Sequence, residues 1–138
     1  MKNLLLFLLF TLLLSCQPEE TETVTYELLP VTEVTMPASF KVNRTANIQV
    51  KFTRPTGCHA FNKFYSEKEA TSNKVAVESV IFENAGKECP AINGNATVTN
   101  NYKFTPDAIG PYTLQFWNGK DANGEDVFLT YEIDVTDQ

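Results

Sequence analysis

The chain has 138 residues, room for one domain rather than two. It carries 11 Lys and Arg against 17 Asp and Glu, a formal charge of −6. That balance argues against nucleic acid, whose phosphates it would repel, and against a polybasic membrane-binding patch.

The first predicted element is a leader over residues 1–15. Met1-Lys2-Asn3 precedes an apolar run over 4–14 that only Thr11 interrupts, and Ser15-Cys16 follows. A bilayer-spanning helix needs roughly 20 apolar residues, so this run is too short for a stable anchor. A basic start, a short apolar stretch and a small residue before the cut are the parts of a secretory signal. Leu13-Leu14-Ser15-Cys16 resembles the lipobox of bacterial lipoproteins. The resemblance implies cleavage before Cys16 and acylation of that cysteine. The protein would then be held to the outer membrane through lipid, facing the periplasm or the cell surface. Two or more acyl chains need no electrostatic help, so an acidic body is no obstacle.

Residues 16–23 form the next segment, the lipidated cysteine and a tether. "QPEETET" has no hydrophobic residue and reads as a solvated spacer. Its acids also resemble the export signal that sends some Bacteroidota lipoproteins to the surface. Setting Cys16 aside leaves Cys58 and Cys89, an even pair in an exported protein, and an oxidising compartment favours a disulfide between them.

Residues 24–138 are expected to form the domain. Asn47 to Phe52 alternates polar and apolar without error, as a half-buried strand does. Tyr112 to Phe116 repeats the pattern, and so do Val127, Leu129, Tyr131, Ile133 and Val135 with polar residues between them. Weaker strands are expected over 24–29, 40–42, 61–65, 75–82 and 98–104. Apolar parity switches between Val77 and Val80, which predicts a bulge there. Ser66-Glu67-Lys68-Glu69 is an S-x-x-E capping pattern and the one expected helical turn. Seven to eight short strands without a long amphipathic helix predict an all-β sandwich.

"FTPDAIGPYTLQF" (104–116) resembles the E-to-F corner of immunoglobulin-like domains, with Gly110 two residues before Tyr112. The resemblance implies that the Tyr112 hydroxyl bonds back to nearby backbone while its ring caps the core. "TMPASFKVNRTANIQVKF" is likewise similar to the first strands of bacterial immunoglobulin-like modules. On that template strand B covers 47–53, C 61–65, D 75–82, E 98–104, F 112–117 and G 127–135. The B–C, D–E and F–G loops then gather at one end, which brings Cys58 and Cys89 within reach of each other.

"RPTGCHAF" (54–61) sets the only histidine, His59, directly after Cys58. Haem attachment needs C-x-x-C-H, and a thioredoxin-like site needs C-x-x-C. Blue copper needs a pair of histidines, and structural zinc more ligands than Cys58, His59 and Cys89 supply. A cysteine nucleophile would need His59 as its base, yet adjacent residues of a strand face opposite ways. A disulfide beside a bystander histidine is the expected reading. In "GKDANGED" (119–126), Asp121, Asn123 and Asp126 echo an oxygen-rich calcium loop, but Asn-Gly is also what a tight hairpin demands. No nucleophile elbow, phosphate-binding loop or paired catalytic carboxylates stand out, so neither enzyme activity nor a cofactor is expected.

Trp117, the only tryptophan, has the opposite parity to Tyr112, Leu114 and Phe116. It either faces outward as a binding anchor or covers a sheet edge. The expected contact surface spans residues 54–59, 86–90 and 117–126, with Arg54, His59, Trp117, Asp121, Asn123 and Asp126 as candidate binding residues. The expected protein is a monomeric, non-catalytic binding or accessory module of the bacterial envelope with an unknown protein or glycan ligand. The alternative is an inhibitor of cysteine proteases. Arg54-Pro55-Thr56-Gly57 resembles the N-P-T-x-G loop of chagasin-like inhibitors, which present the same three loops.

Overall fold

The computed structural model describes residues 22–84, 88–94 and 96–137; the leader, Cys16, most of the tether and Gly86 lie outside them. Among the described residues nine strands are formed: β1 Glu22–Leu29, β2 Val31–Thr35, β3 Phe40–Lys41, β4 Ala46–Thr53, β5 His59–Glu69, β6 Ser72–Asn84, β7 Thr97–Phe104, β8 Gly110–Lys120 and β9 Asp126–Thr136. No helix occurs among the described residues. β1 starts inside the segment expected as tether, and β2, a short strand with Val31 as its one fully buried residue, has no counterpart among the expected elements.

Two sheets make the sandwich. One runs β2-β4-β7; the other runs β1-β6-β8-β9-β3, with β5 also paired to β6. The alternation that predicted β4 and β8 is the cause of their placement. Ile48, Val50 and Phe52 from β4 meet Tyr112, Leu114 and Phe116 from β8, all at most 2% exposed, while their intervening polar residues point away. From β9, Leu129, Tyr131 and Ile133 pack against this core and Val135 is buried within it.

Sheet order departs from the immunoglobulin lettering. The template places C beside F, whereas β6, lettered D, pairs in parallel with β8 over residues 72–75, and β5, lettered C, lies at the outer edge. Side-chain chemistry accounts for the exchange. β6 has apolar residues on both faces, as a central strand requires, with Val75 and Val77 inward and Val80 and Phe82 outward. β5 ends in Ser66-Glu67-Lys68-Glu69, whose charges suit an unpaired edge.

Those four residues form no helical turn; they pair with residues 72–75 across a tight turn at Ala70-Thr71. The expected bulge also moves. β6 runs without irregularity against β1, and the register shift falls in β5 at Asn62, opposite Glu78 and Ser79. The parity switch in β6 therefore marks two apolar faces rather than a kink.

The corner before β8 has the geometry its sequence implies. Gly110 adopts φ 115°, a conformation that disfavours any side chain. The Tyr112 hydroxyl accepts the Ala108 N–H at 3.0 Å and donates to Asp107 Oδ1 at 2.7 Å. Lys68 donates to the other oxygen of Asp107. The Lys68 ammonium, and then the Tyr112 hydroxyl, hold the Asp107 carboxyl down at about 2. A depressed carboxyl stabilises the fold fully above its unfolded value of 3.8, and the contribution disappears as pH falls toward about 2. Asp107→Asn keeps an acceptor for Tyr112 and removes the titration. Its urea midpoint should therefore fall less steeply between about pH 4 and about pH 2 than that of the wild type.

Candidate functional site: a groove on the outer sheet face

Leu29 ends β1 in the core, which sends Val24, Tyr26 and Leu28, on the opposite parity, to the outer face of the six-stranded sheet. They lie beside Phe82, Val80 and Glu78 of β6 in the register of that pair. Tyr65 of β5, opposite Ala76, is 53% exposed on the same face. The sandwich thus buries one face of this sheet and leaves an apolar stripe on the other, a feature that in soluble proteins marks contact with something else.

A break in strand pairing deepens the stripe into a groove. β6 pairs with β8 only as far as Val75↔Phe116, after which β1 takes over the same edge from Val77 onward. The β8–β9 hairpin is drawn aside at this point. Asn118, the extra residue of a bulge between Trp117 and Gly119, donates to the Val31 carbonyl at 2.6 Å. Gly119, at φ 104°, lies against Pro30, where a Cβ would stand 3.5 Å from the proline ring. The resulting groove holds about 450 Å³, within the usual range for a ligand site. Leu28, Ala76 and Val75 line one side, Trp117 and Phe128 the other, and Tyr65 flanks them.

Four charged residues also line it: Glu67 and Lys74, directly opposite each other on β5 and β6, and Lys120 and Asp126 on the hairpin. Asp126 Oδ1 accepts from Lys120 Nζ and from Trp117 Nε1, each at 2.9 Å. Lys120, and then the indole, hold the Asp126 carboxyl below the usual carboxylate range, so it is ionised at neutral pH. The same bond fixes the rotation of the Trp117 ring, which is half-buried.

Of the candidate residues, Trp117 and Asp126 come together here. Asp121 and Asn123 belong to the hairpin turn at the tip. Asp121 Oδ1 accepts the amides of Asn123 at 2.8 Å and Glu125 at 3.0 Å, and those backbone donors lower its pKa. With Asp126 turned to Lys120 and Trp117, the two carboxylates serve separate partners, and Gly124 at φ 85° completes an ordinary turn.

His59 and Arg54 serve the β4–β5 connection instead. His59 is 7% exposed, with Nδ1 at 2.8 Å from Thr56 Oγ1 and Nε2 at 3.0 Å from Glu27 Oε2. Arg54 Nη1 donates to the His59 carbonyl at 3.2 Å. Cys58 and Cys89 form the expected disulfide, with Cα atoms 5.5 Å apart. Gly57 N donates to Pro90 O at 2.8 Å and Arg54 N to Ala96 O at 3.0 Å, so residues 54–57 are tied to the connection after β6. The groove therefore lies on a sheet face rather than across three loops.

Tyr65, Leu28, Glu67, Lys74 and Phe128 were not among the candidates, and Lys120 fell within the expected 117–126 surface without being singled out. For Leu28 the signal in the sequence is its apolar neighbour Leu29 on the other parity, which, with apolar residues on both parities of β6, announces a sheet apolar on two faces. A comparison of the chain with protein-family models, with curated proteins and with solved structures finds no match.

Proposed function

We propose that this protein is a lipid-anchored, non-catalytic binding module of the bacterial outer membrane, and that the outer-face groove is its contact surface. One observation carries the binding role: large apolar side chains, Tyr65 above all, stand exposed around a concave site on a sandwich whose core is already complete without them. Residues placed there add nothing to the interior and are available to a partner. The lipobox-like Leu13-Leu14-Ser15-Cys16 supports the anchor, and the short polar spacer after it suits a domain held close to a membrane.

The anchor is tested by the mass of the N-terminal peptide of the protein purified from membranes. The expected peptide begins at Cys16 and carries acyl chains. A peptide with an unmodified Cys16, or one that retains residues 1–15, would remove the lipid from this reading. The exposed position of Tyr65 is tested by Tyr65→Ala, expected to change stability by no more than about 0.5 kcal/mol in urea unfolding. A cost of several times that amount would make Tyr65 a packing residue and take the groove out of the proposal.

A further inference from the structure

We infer that the groove binds an uncharged carbohydrate chain, an assignment that rests on the reading of the groove as the contact surface. Its two banks have the same composition. On the β5–β6 side Glu67 and Lys74 stand opposite each other, and on the hairpin side Asp126 and Lys120 are bonded to each other. Between the banks lies an apolar strip with Leu28 and Ala76 on one flank and Trp117 and Phe128 on the other.

Charge selects among the ligands that could lie there. An anion would meet Glu67 and Asp126, and a cation would meet Lys74 and Lys120, so each sign is opposed from both banks. A purely hydrocarbon ligand would desolvate four charged groups and offer them nothing in return. A neutral sugar fits every part of this arrangement. Each hydroxyl both donates and accepts, so one hydroxyl can accept from a lysine while its neighbour donates to the adjacent carboxylate. The C–H face of a pyranose ring is apolar and lies flat on an aromatic ring, and Trp117 is held in one orientation by Asp126. The protein as a whole carries −6, yet this lining balances two acids against two bases. The local neutrality is therefore a property of the site and not of the composition.

The open form of the groove adds a second constraint. It lies along a sheet face between β1 and the hairpin, without a covering loop among its lining residues. A polymer can lie along such a site with its ends free, so internal segments of a polysaccharide are the expected ligand rather than chain termini.

Trp117 is the only tryptophan of the chain, which gives the test a probe inside the site. Full-length protein in lipid nanodiscs, with fluorotryptophan in place of tryptophan, yields one fluorine resonance, from residue 117. Neutral polysaccharides (a glucan, a xylan and a mannan) are compared with sulfated and uronate polymers and with a soluble, deproteinised envelope fraction. The expected result is a shifted or broadened resonance with at least one neutral polymer. Tyr65→Ala should weaken that binding by about tenfold or more in affinity electrophoresis, and Ile109→Ala, at a similarly exposed position on the connection between β7 and β8 and outside the groove, should not. Trp117→Ala gives the same comparison where it folds, and Tyr65→Ala carries the test if it does not. A response to the sulfated or uronate polymers alone overturns the neutral-sugar assignment. A response to the envelope fraction but to none of the polysaccharides overturns it too, while leaving the groove a binding site of another class. No response to any of them overturns both.

Discussion

Phe116→Ala is expected to cost about 3–5 kcal/mol of unfolding free energy and to lower the melting temperature by roughly 15 °C. Phe116 is fully buried, with ring centroids of Tyr102 and Tyr131 each 6.1 Å away in edge-to-face geometry. It also occupies a position at which three strands meet, opposite Val75 of β6 and Leu129 of β9. The cavity left by alanine would open where parallel pairing to β6 ends, so little backbone is free to collapse into it. Domains of this size hold about 5–15 kcal/mol in total, so the variant should be near the limit of folding. Phe116→Leu, which keeps most of the volume, is expected to lose about 1–2 kcal/mol. Tyr26→Ala is the informative contrast. Tyr26 is an equally large aromatic in a strand, but it is 64% exposed, and its removal should change stability by no more than about 0.5 kcal/mol. Comparable losses from Phe116→Ala and Tyr26→Ala in urea titrations would mean that the faces of β1 are assigned the wrong way round.

That contrast also separates what the sequence discloses from what it conceals. β4, β8 and β9 are legible because each has one buried face, and one-sided burial writes itself as strict alternation. The Tyr112 corner is legible because Gly110, Tyr112 and Asp107 act within a few residues of one another. Pairing partners are not local. Nothing in "SEKE" states that it will lie beside residues 72–75, and its S-x-x-E spacing fits a helical cap equally well until the β5–β6 hairpin closes. The groove was obscured for a related reason. Val24, Tyr26 and Leu28 have the period of a core-facing strand, and only the burial of Leu29 on the other parity turns them outward. Trp117 and Asp126 could be singled out by residue type and position. Tyr65, Glu67 and Lys74 reach the same site only through the placement of β6 beside β8, which is a tertiary choice.

Breaking the disulfide should have the other large effect. Cys58→Ser with Cys89→Ser is expected to lower unfolding free energy by about 3–4 kcal/mol, the chain-entropy value for a loop closed across a sequence separation of 31 residues. The staple ties the start of β5 to the connection after β6. β5 is an edge strand whose only strand pairing is with β6, held to the facing sheet by Phe61 on Phe52 and Phe64 on Tyr102, and β6 beyond Val77 pairs with β1, whose Val24, Tyr26 and Leu28 all face outward. The long connection between β6 and β7 would otherwise add its full freedom to the unfolded chain. Close backbone packing beside the bridge makes the geometry specific. A Cβ on Gly57 would stand 2.9 Å from the Pro90 ring, and the Gly57 amide bonds the Pro90 carbonyl. The double variant should therefore unfold at a lower urea concentration than the oxidised protein, and wild type under reductant should follow it. Groove binding should persist while the protein is folded, because Trp117, Tyr65 and their neighbours lie on β5, β6 and the β8–β9 hairpin away from the bridge. Two free thiols in the oxidised protein, or a stability change below about 1 kcal/mol, would show that this corner is held by its hydrogen bonds and by the buried His59 instead.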